Sequence, residues 1–160
     1  MKPSRILAFS QTLIIIALIG VSLAGCGTAG SPSPAPTPVA TYTGQVKTTY
    51  IPSAGVGDIA VMIGIPQNPR YPESAGVVVM VSPLFNPSAG FQTSPDMTSL
   101  GLIQVSYLWP GYGDSATGLK SEGVYDFGGA QSIQVLQDVI RYASGQIPDK
   151  DGRYLSSLSM

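Results

Sequence analysis

The chain has no histidine and a single cysteine, Cys26, in 160 residues. Histidine is the commonest general base and the commonest metal ligand, so imidazole chemistry is excluded for this polypeptide acting alone. One cysteine forms no internal disulfide, and once it is committed elsewhere no thiolate remains for a metal. Charge is scarce as well: charged residues make up 11 % of the chain, and glutamate occurs only at Glu73 and Glu122. The eight basic residues are outnumbered by nine acidic ones. Nucleic-acid binding needs a basic footprint, and none is present. No residue set marks a cofactor or metal site, so none is expected.

The longest apolar run is at the N-terminus. Lys2 and Arg5 precede an uncharged stretch, Ile6 to Leu23, densest at Leu13–Ile19, and small residues lead from it into Cys26. Positive start, apolar core and small-residue exit make a secretory signal. Ser10, Gln11 and Thr12 interrupt the run, and a permanent span needs about 20 apolar residues. A signal peptide over 1–25 is therefore expected. Its removal takes Lys2 and Arg5 away, leaving six basic and nine acidic residues and a net charge of −3.

Leu23-Ala24-Gly25-Cys26 resembles the lipobox of bacterial lipoproteins. The resemblance implies cleavage before Cys26, diacylation of its sulfur, and a chain anchored in the bacterial cell envelope, facing outside the cytoplasm. Two or more acyl chains hold a protein stably at a bilayer, at about 0.8 kcal/mol per buried CH₂. The membrane is thus one expected partner. Residues 26–41 follow as the lipidated cysteine and a linker, in which Gly27 to Pro38 consists of Pro, Ser, Gly, Thr and Ala and has nothing large enough to build a core. Its prolines favour an extended spacer.

From residue 42 to 160 the pattern alternates between strand and helix. Gln45–Ile51 and Ile59–Ile65 read as strands, the second stopped by Pro66. Gly76–Ser82 is apolar on both faces, so the pattern predicts a central parallel strand covered on both sides. Ser94-Pro95-Asp96 opens a short helix ending near Gly101, with serine as its cap. Leu102–Leu108 is the next strand, and a glycine-rich loop runs from Trp109 to Gly123. A helix is expected over about 129–144, where Ile133, Leu136, Ile140 and Ala143 recur at helical spacing beside Val135 and Val139. This order predicts an α/β layered fold.

Together these pieces resemble the opening half of an α/β-hydrolase, over roughly Thr41 to Leu158: an antiparallel strand pair, the apolar strand, the sharp loop Pro83-Leu84-Phe85-Asn86-Pro87, a short helix, a strand, Pro110-Gly111-Tyr112-Gly113-Asp114-Ser115, and the helix containing Asp138. The resemblance implies an incomplete, mostly parallel sheet with flanking helices, truncated before the nucleophile strand; in the family that next strand pairs with Gly76–Ser82, so its absence would leave Gly76–Ser82 an unprotected edge. It further implies that the chain is the N-terminal part of an envelope-anchored serine hydrolase acting on a small-molecule ester or a peptide. By position, the backbone N–H groups of Leu84 and Phe85 would serve the oxyanion hole. The sequence has no Gly-x-Ser-x-Gly elbow and no His, and Ser82-Pro83 stands where many members have His-Gly. This chain is expected to be inactive alone. The alternative is a non-catalytic surface lipoprotein, binding module or remnant with an α/β fold.

Four smaller features have structural readings beside functional ones. Gly111-Tyr112-Gly113-Asp114-Ser115-Ala116 fits a dinucleotide pattern but runs into Thr117-Gly118 rather than an apolar helix, which favours a tight turn. Asp149-Lys150-Asp151-Gly152 resembles the start of a calcium loop, but no acidic residue follows Asp151, which favours a polar turn. Asp126 is placed at or near the helix N-cap, and Asp138 on the surface. Tyr107, Trp109 and Tyr112 gather at the end of their strand, where ligands bind in open α/β sheets, although packing is the readier reading.

Overall fold

A computed structural model describes residues 44–71, 76–82 and 90–158, all within one compact unit, Thr37–Met160. The signal and linker segments, Cys26, and the Leu84–Phe85 loop lie outside the described residues.

The chain starts with a hairpin. β1 (Gln45–Ser53) and β2 (Gly57–Ile65) pair antiparallel in unbroken register, Gln45 opposite Ile65 and Ser53 opposite Gly57. Only Ala54, Gly55 and Val56 connect them, and Gly55 (φ 74°) supplies the left-handed residue that so short a connection requires. β1 buries Thr49, Ile51 and Ser53 at alternate positions, as a half-covered strand does. Pro52 donates no ladder hydrogen bond and is tolerated because β1 is an edge strand. β2 is buried from Ile59 to Gly64.

β3 (Val77–Met80) and β4 (Ile103–Tyr107) complete the sheet in the order β1-β2-β4-β3. β4 pairs antiparallel with β2 and parallel with β3. The expected mostly parallel sheet with flanking helices is therefore corrected: two of the three pairings are antiparallel, and the described residues contain two helices, α1 (Ala130–Ala143) and the single turn α2 (Leu155–Leu158). The tight hairpin fixes the first pair as antiparallel, and β4 then returns beside β2 in the opposite sense.

The connection toward β4 carries a four-residue 3-10 turn, Met97–Leu100, rather than an α-helix. Its cap is Asp96, which accepts from Thr98 N–H, and not the expected Ser94; Gly101 (φ 75°) ends it as expected. A buried amide holds this connection. Gln104, fully buried on β4, accepts from Met97 N–H (2.9 Å) and donates to Gln92 O (3.2 Å).

β3 is also not central. It occupies the end of the sheet, none of its four residues is buried, and Val77 keeps 38 % of its surface exposed. The all-buried strand is instead β4. The core comprises Ile51, Ile59, Val61, Ile63, Val105 and Tyr107 from the sheet with Val135, Val139 and Tyr142 from α1. Burying each aliphatic side chain contributes roughly 1.5–3 kcal/mol. The second apolar stripe of α1 stays open, with Ile133 and Ile140 about half exposed.

Candidate functional site

The parallel pairing of β3 with β4 sets their carboxyl ends side by side; Tyr107 ends β4, and the segment leaving it carries Trp109, Tyr112, Tyr125 and Phe127. Ser82, after β3, is buried, and its single hydroxyl proton is shared between Gly90 O (3.1 Å) and Tyr107 O (3.3 Å). Trp109, two residues past β4, donates its indole N–H to Ser82 O (3.0 Å). The two strand ends are thus tied by side-chain donors to backbone carbonyls.

From Trp109 a sequence of rings runs outward. Tyr107 meets Trp109 edge-on at 5.0 Å between centroids. Trp109 lies 6.1 Å from Tyr125, and Tyr125 lies 4.8 Å from Tyr112 and 5.2 Å from Phe127. Burial, and next the proximity of Tyr125, push the Tyr107 and Tyr112 hydroxyls above the ordinary phenol range, so both remain protonated and neutral. The Tyr107 hydroxyl is buried and has no hydrogen-bond partner among the described residues. Tyr107, Trp109 and Tyr112 do gather as the sequence indicates. Tyr125 and Phe127 join them unforeseen; the signal was available in Tyr125-Asp126-Phe127, two aromatics flanking the helix cap.

The glycine-rich loop is a closed turn. Gly113 bridges Lys120, Asp114 N–H donates to Leu119 O (2.8 Å), and the Asp114 carboxylate accepts from Thr117 N–H (2.8 Å) and the Thr117 hydroxyl. The N–H groups of Asp114, Thr117 and Gly118 are used within the turn, and the next helix starts only at Ala130. A 360 Å³ open hollow over it is lined by Gly113, Asp114, Ser115, Gly118, Leu119 and Lys120. Ser121 ties the loop to the sheet, accepting from Ala60 N–H (3.0 Å) and donating to Leu108 O (2.9 Å).

The acidic candidates are structural. Asp149 is buried, and both its oxygens are occupied: one accepts from Asp151 N–H (3.0 Å) and Arg153 N–H (2.8 Å), the other from the Thr49 hydroxyl (2.8 Å) and Arg153 Nε (3.0 Å). The Asp149–Gly152 segment is thus a polar clasp joining the end of the chain to β1. No group of three or more metal-binding side chains occurs among the described residues. Asp138 corrects its expected surface position: it is 4 % exposed and accepts from the Ser53 hydroxyl (2.8 Å) and the Gln134 amide (2.9 Å), fixing α1 to β1.

Asp126 caps α1 from three residues before the N-cap glycine. Its carboxylate accepts from the Ser132 hydroxyl and from the N–H groups of Gly129, Gln131 and Ser132. The Ser132 hydroxyl first, then these N–H groups, hold its pKa below the usual carboxylate range. An Asp126→Ala chain is expected to melt roughly 5 °C lower at neutral pH. Because the folded pKa is lowered, this contribution is complete above the unfolded value and is lost as pH falls through the folded one. Melting curves of both chains across that range check it: the difference closes in acid.

No protein family matches the chain, and neither a curated protein nor a solved structure matches it.

Proposed function

We propose that this chain is a lipid-anchored, non-catalytic N-terminal part of an envelope serine hydrolase acting on ester or amide bonds. The observation that supports it most is the parallel β3–β4 pair, whose carboxyl ends meet at Ser82 and Trp109. Such strand ends are where open sheets bind ligands. They are also where the Leu84–Phe85 loop departs. Serine attack, proton transfer by histidine and an acyl-enzyme would define the reaction. This chain has no histidine, so its contribution is binding and backbone N–H donation, not bond making. The lack of His and of a nucleophile elbow equally supports a second reading, a non-catalytic surface lipoprotein.

A fluorophosphonate probe applied to native envelopes separates the two. The hydrolase reading expects a labelled, membrane-bound product containing this sequence, with the labelled serine outside it. The label should move to the soluble fraction in a Cys26→Ser strain. Envelopes in which no product containing this sequence takes the label would reject the hydrolase and leave the binding lipoprotein.

A further inference from the structure

We infer that the outer edge of β3 is a dimerisation strand: it pairs antiparallel, about Val79, with β3 of a second copy of this chain, and the assembly closes there. The inference concerns this polypeptide and does not rest on the hydrolase reading.

Backbone direction carries the argument. Gly76 O accepts from Ile103 N–H (2.8 Å), in a parallel register that sets Val77 opposite Ile103 and Met80 opposite Ser106. Within a strand each residue points its N–H and C=O to the same side, and successive residues alternate sides. Gly76, Val78 and Met80 therefore face β4, and Val77, Val79 and Val81 turn their N–H and C=O groups away from it. The other side of β4 agrees. Leu108 N–H donates to Ala60 O (3.1 Å), so the even-numbered residues of β4 face β2 and the odd-numbered ones face β3. Among the described residues no strand takes up the outward groups of β3.

The opposite edge of the sheet is closed to such pairing. Ala60 faces β4, so the odd-numbered residues of β2 face β1, and the register leaves Val46, Thr48, Tyr50 and Pro52 of β1 pointing outward. Pro52 has no N–H to offer. Tyr50 O already accepts from Lys150 N–H (2.8 Å), which lays the Asp149–Gly152 turn against this edge. A head-to-tail contact of β3 with β1 of the next copy, which would grow into a filament, is thereby blocked. The strand that a second copy offers to β3 is its own β3.

That strand is complementary to itself. With Val79 on the twofold axis, Val77 lies opposite Val81 of the second copy, and Val81 opposite its Val77. Each is an outward residue meeting an outward residue, so every pair exchanges both N–H···O bonds. A shift of one residue sets Val79 against Val78 or Met80, whose groups point toward β4. A shift of two leaves an outward valine of each strand without a valine opposite. The axis runs perpendicular to the sheet, so Val77, Val79 and Val81 of both copies share the face on which Val79 meets the core. β-Branched side chains then pair across the strands, and the absence of charge from Gly76 to Val81 means that no like charges are brought together. Val77 and Val81, the two exposed residues of the strand, are the ones that meet.

The full chain carrying Cys26→Ser, which leaves introduced cysteines as its only thiols, is purified in mild detergent. Sedimentation should reach twice the chain mass and stop there. Val77→Cys and Val81→Cys chains with different tags are oxidised with copper phenanthroline, apart and together. The mixture should give a disulfide-linked pair, since opposite residues stand about 5.5 Å apart between Cα atoms. Either chain alone should not, since each cysteine then lies four residues from its counterpart, about 13 Å along the strand. Val79→Pro removes an outward N–H that an edge strand can spare, so it should weaken dimerisation at least tenfold with an unchanged circular dichroism spectrum. A monomer, growth past two copies, no linkage in the mixture, self-linkage of either single-cysteine chain, or undiminished pairing in a folded Val79→Pro chain would each overturn the inference. Should Val79→Pro fail to fold, the cysteine pair still decides.

Discussion

Replacing Asp149 with alanine should destabilise the chain by roughly 3 kcal/mol, the largest loss expected from a single polar side chain here. The carboxylate is completely buried and accepts four hydrogen bonds. Removing it strands the Thr49 hydroxyl, itself buried, and the two N–H groups of the turn. The guanidinium of Arg153 keeps about half its surface in water and pairs also with Asp151, which limits the cost. The clasp is long-range: it joins β1 to a turn 100 residues later, so its loss frees Lys150 N–H from Tyr50 O and loosens α2 as well. Urea unfolding measures the difference, and a loss under 1 kcal/mol would show that water replaces the acceptor.

The pH dependence is a second readout of the same group. Burial raises the pKa of Asp149, but the N–H and guanidinium of Arg153 and the Thr49 hydroxyl outweigh it and hold the pKa below the ordinary range. The carboxylate thus stabilises the fold fully above the unfolded aspartate value, near 3.9, and the contribution disappears as pH falls through the lower folded value. An Asp149→Asn chain should show a shallower loss of stability below about pH 4 than the unmodified chain.

The sequence was most legible where the deciding contacts are local. Gln45–Ile51 and Ile59–Ile65 read as strands from their own residues, each two residues short of β1 and β2 at the connection, and the span of α1 follows from its helical spacing. The Gly111–Ala116 and Asp149–Gly152 segments likewise read as turns from their own residues. Misreadings arose where the answer depends on distant partners. The pattern of Val77–Met80 states how much apolar surface the strand offers, not what lies beside it, so the pattern alone suggests a central strand, whereas the resemblance, with its missing next strand, implies the open edge that β3 occupies. Asp138 appeared to be a surface residue because nothing in its neighbourhood announces the Ser53 hydroxyl, 85 residues earlier. On α1, the stripe with the cleaner spacing (Ile133, Leu136, Ile140) is the less covered one, and the core takes Val135, Val139 and Tyr142 instead. The aromatic site was half legible for the same reason. Tyr107, Trp109 and Tyr112 are neighbours in sequence, whereas Tyr125 and Phe127 join them only through the folded loop.

The two edges of the sheet differ sharply, and the difference predicts how the chain behaves in solution. β1 is protected by Pro52, by charge at Lys47 and by polar side chains at alternate positions. β3 has none of these: Gly76 to Val81 contains no charge and no proline, Val77 and Val81 are exposed, and among the described residues no strand pairs with its outer side. An open, apolar, unguarded edge is a template for pairing with another chain. A polypeptide of residues 26–160 is therefore expected to self-associate at concentrations on the order of 10 µM. A Val77→Lys, Val81→Lys chain should sediment as a monomer there, with a similar melting temperature because both side chains already reach water. A monodisperse, cooperatively melting monomer of the unmodified chain would sink the idea. The same two lysines also probe the hydrolase reading. In a longer gene product that supplies a strand for this edge, they would be driven into a covered position, and the substitution that improves this chain should destabilise that product.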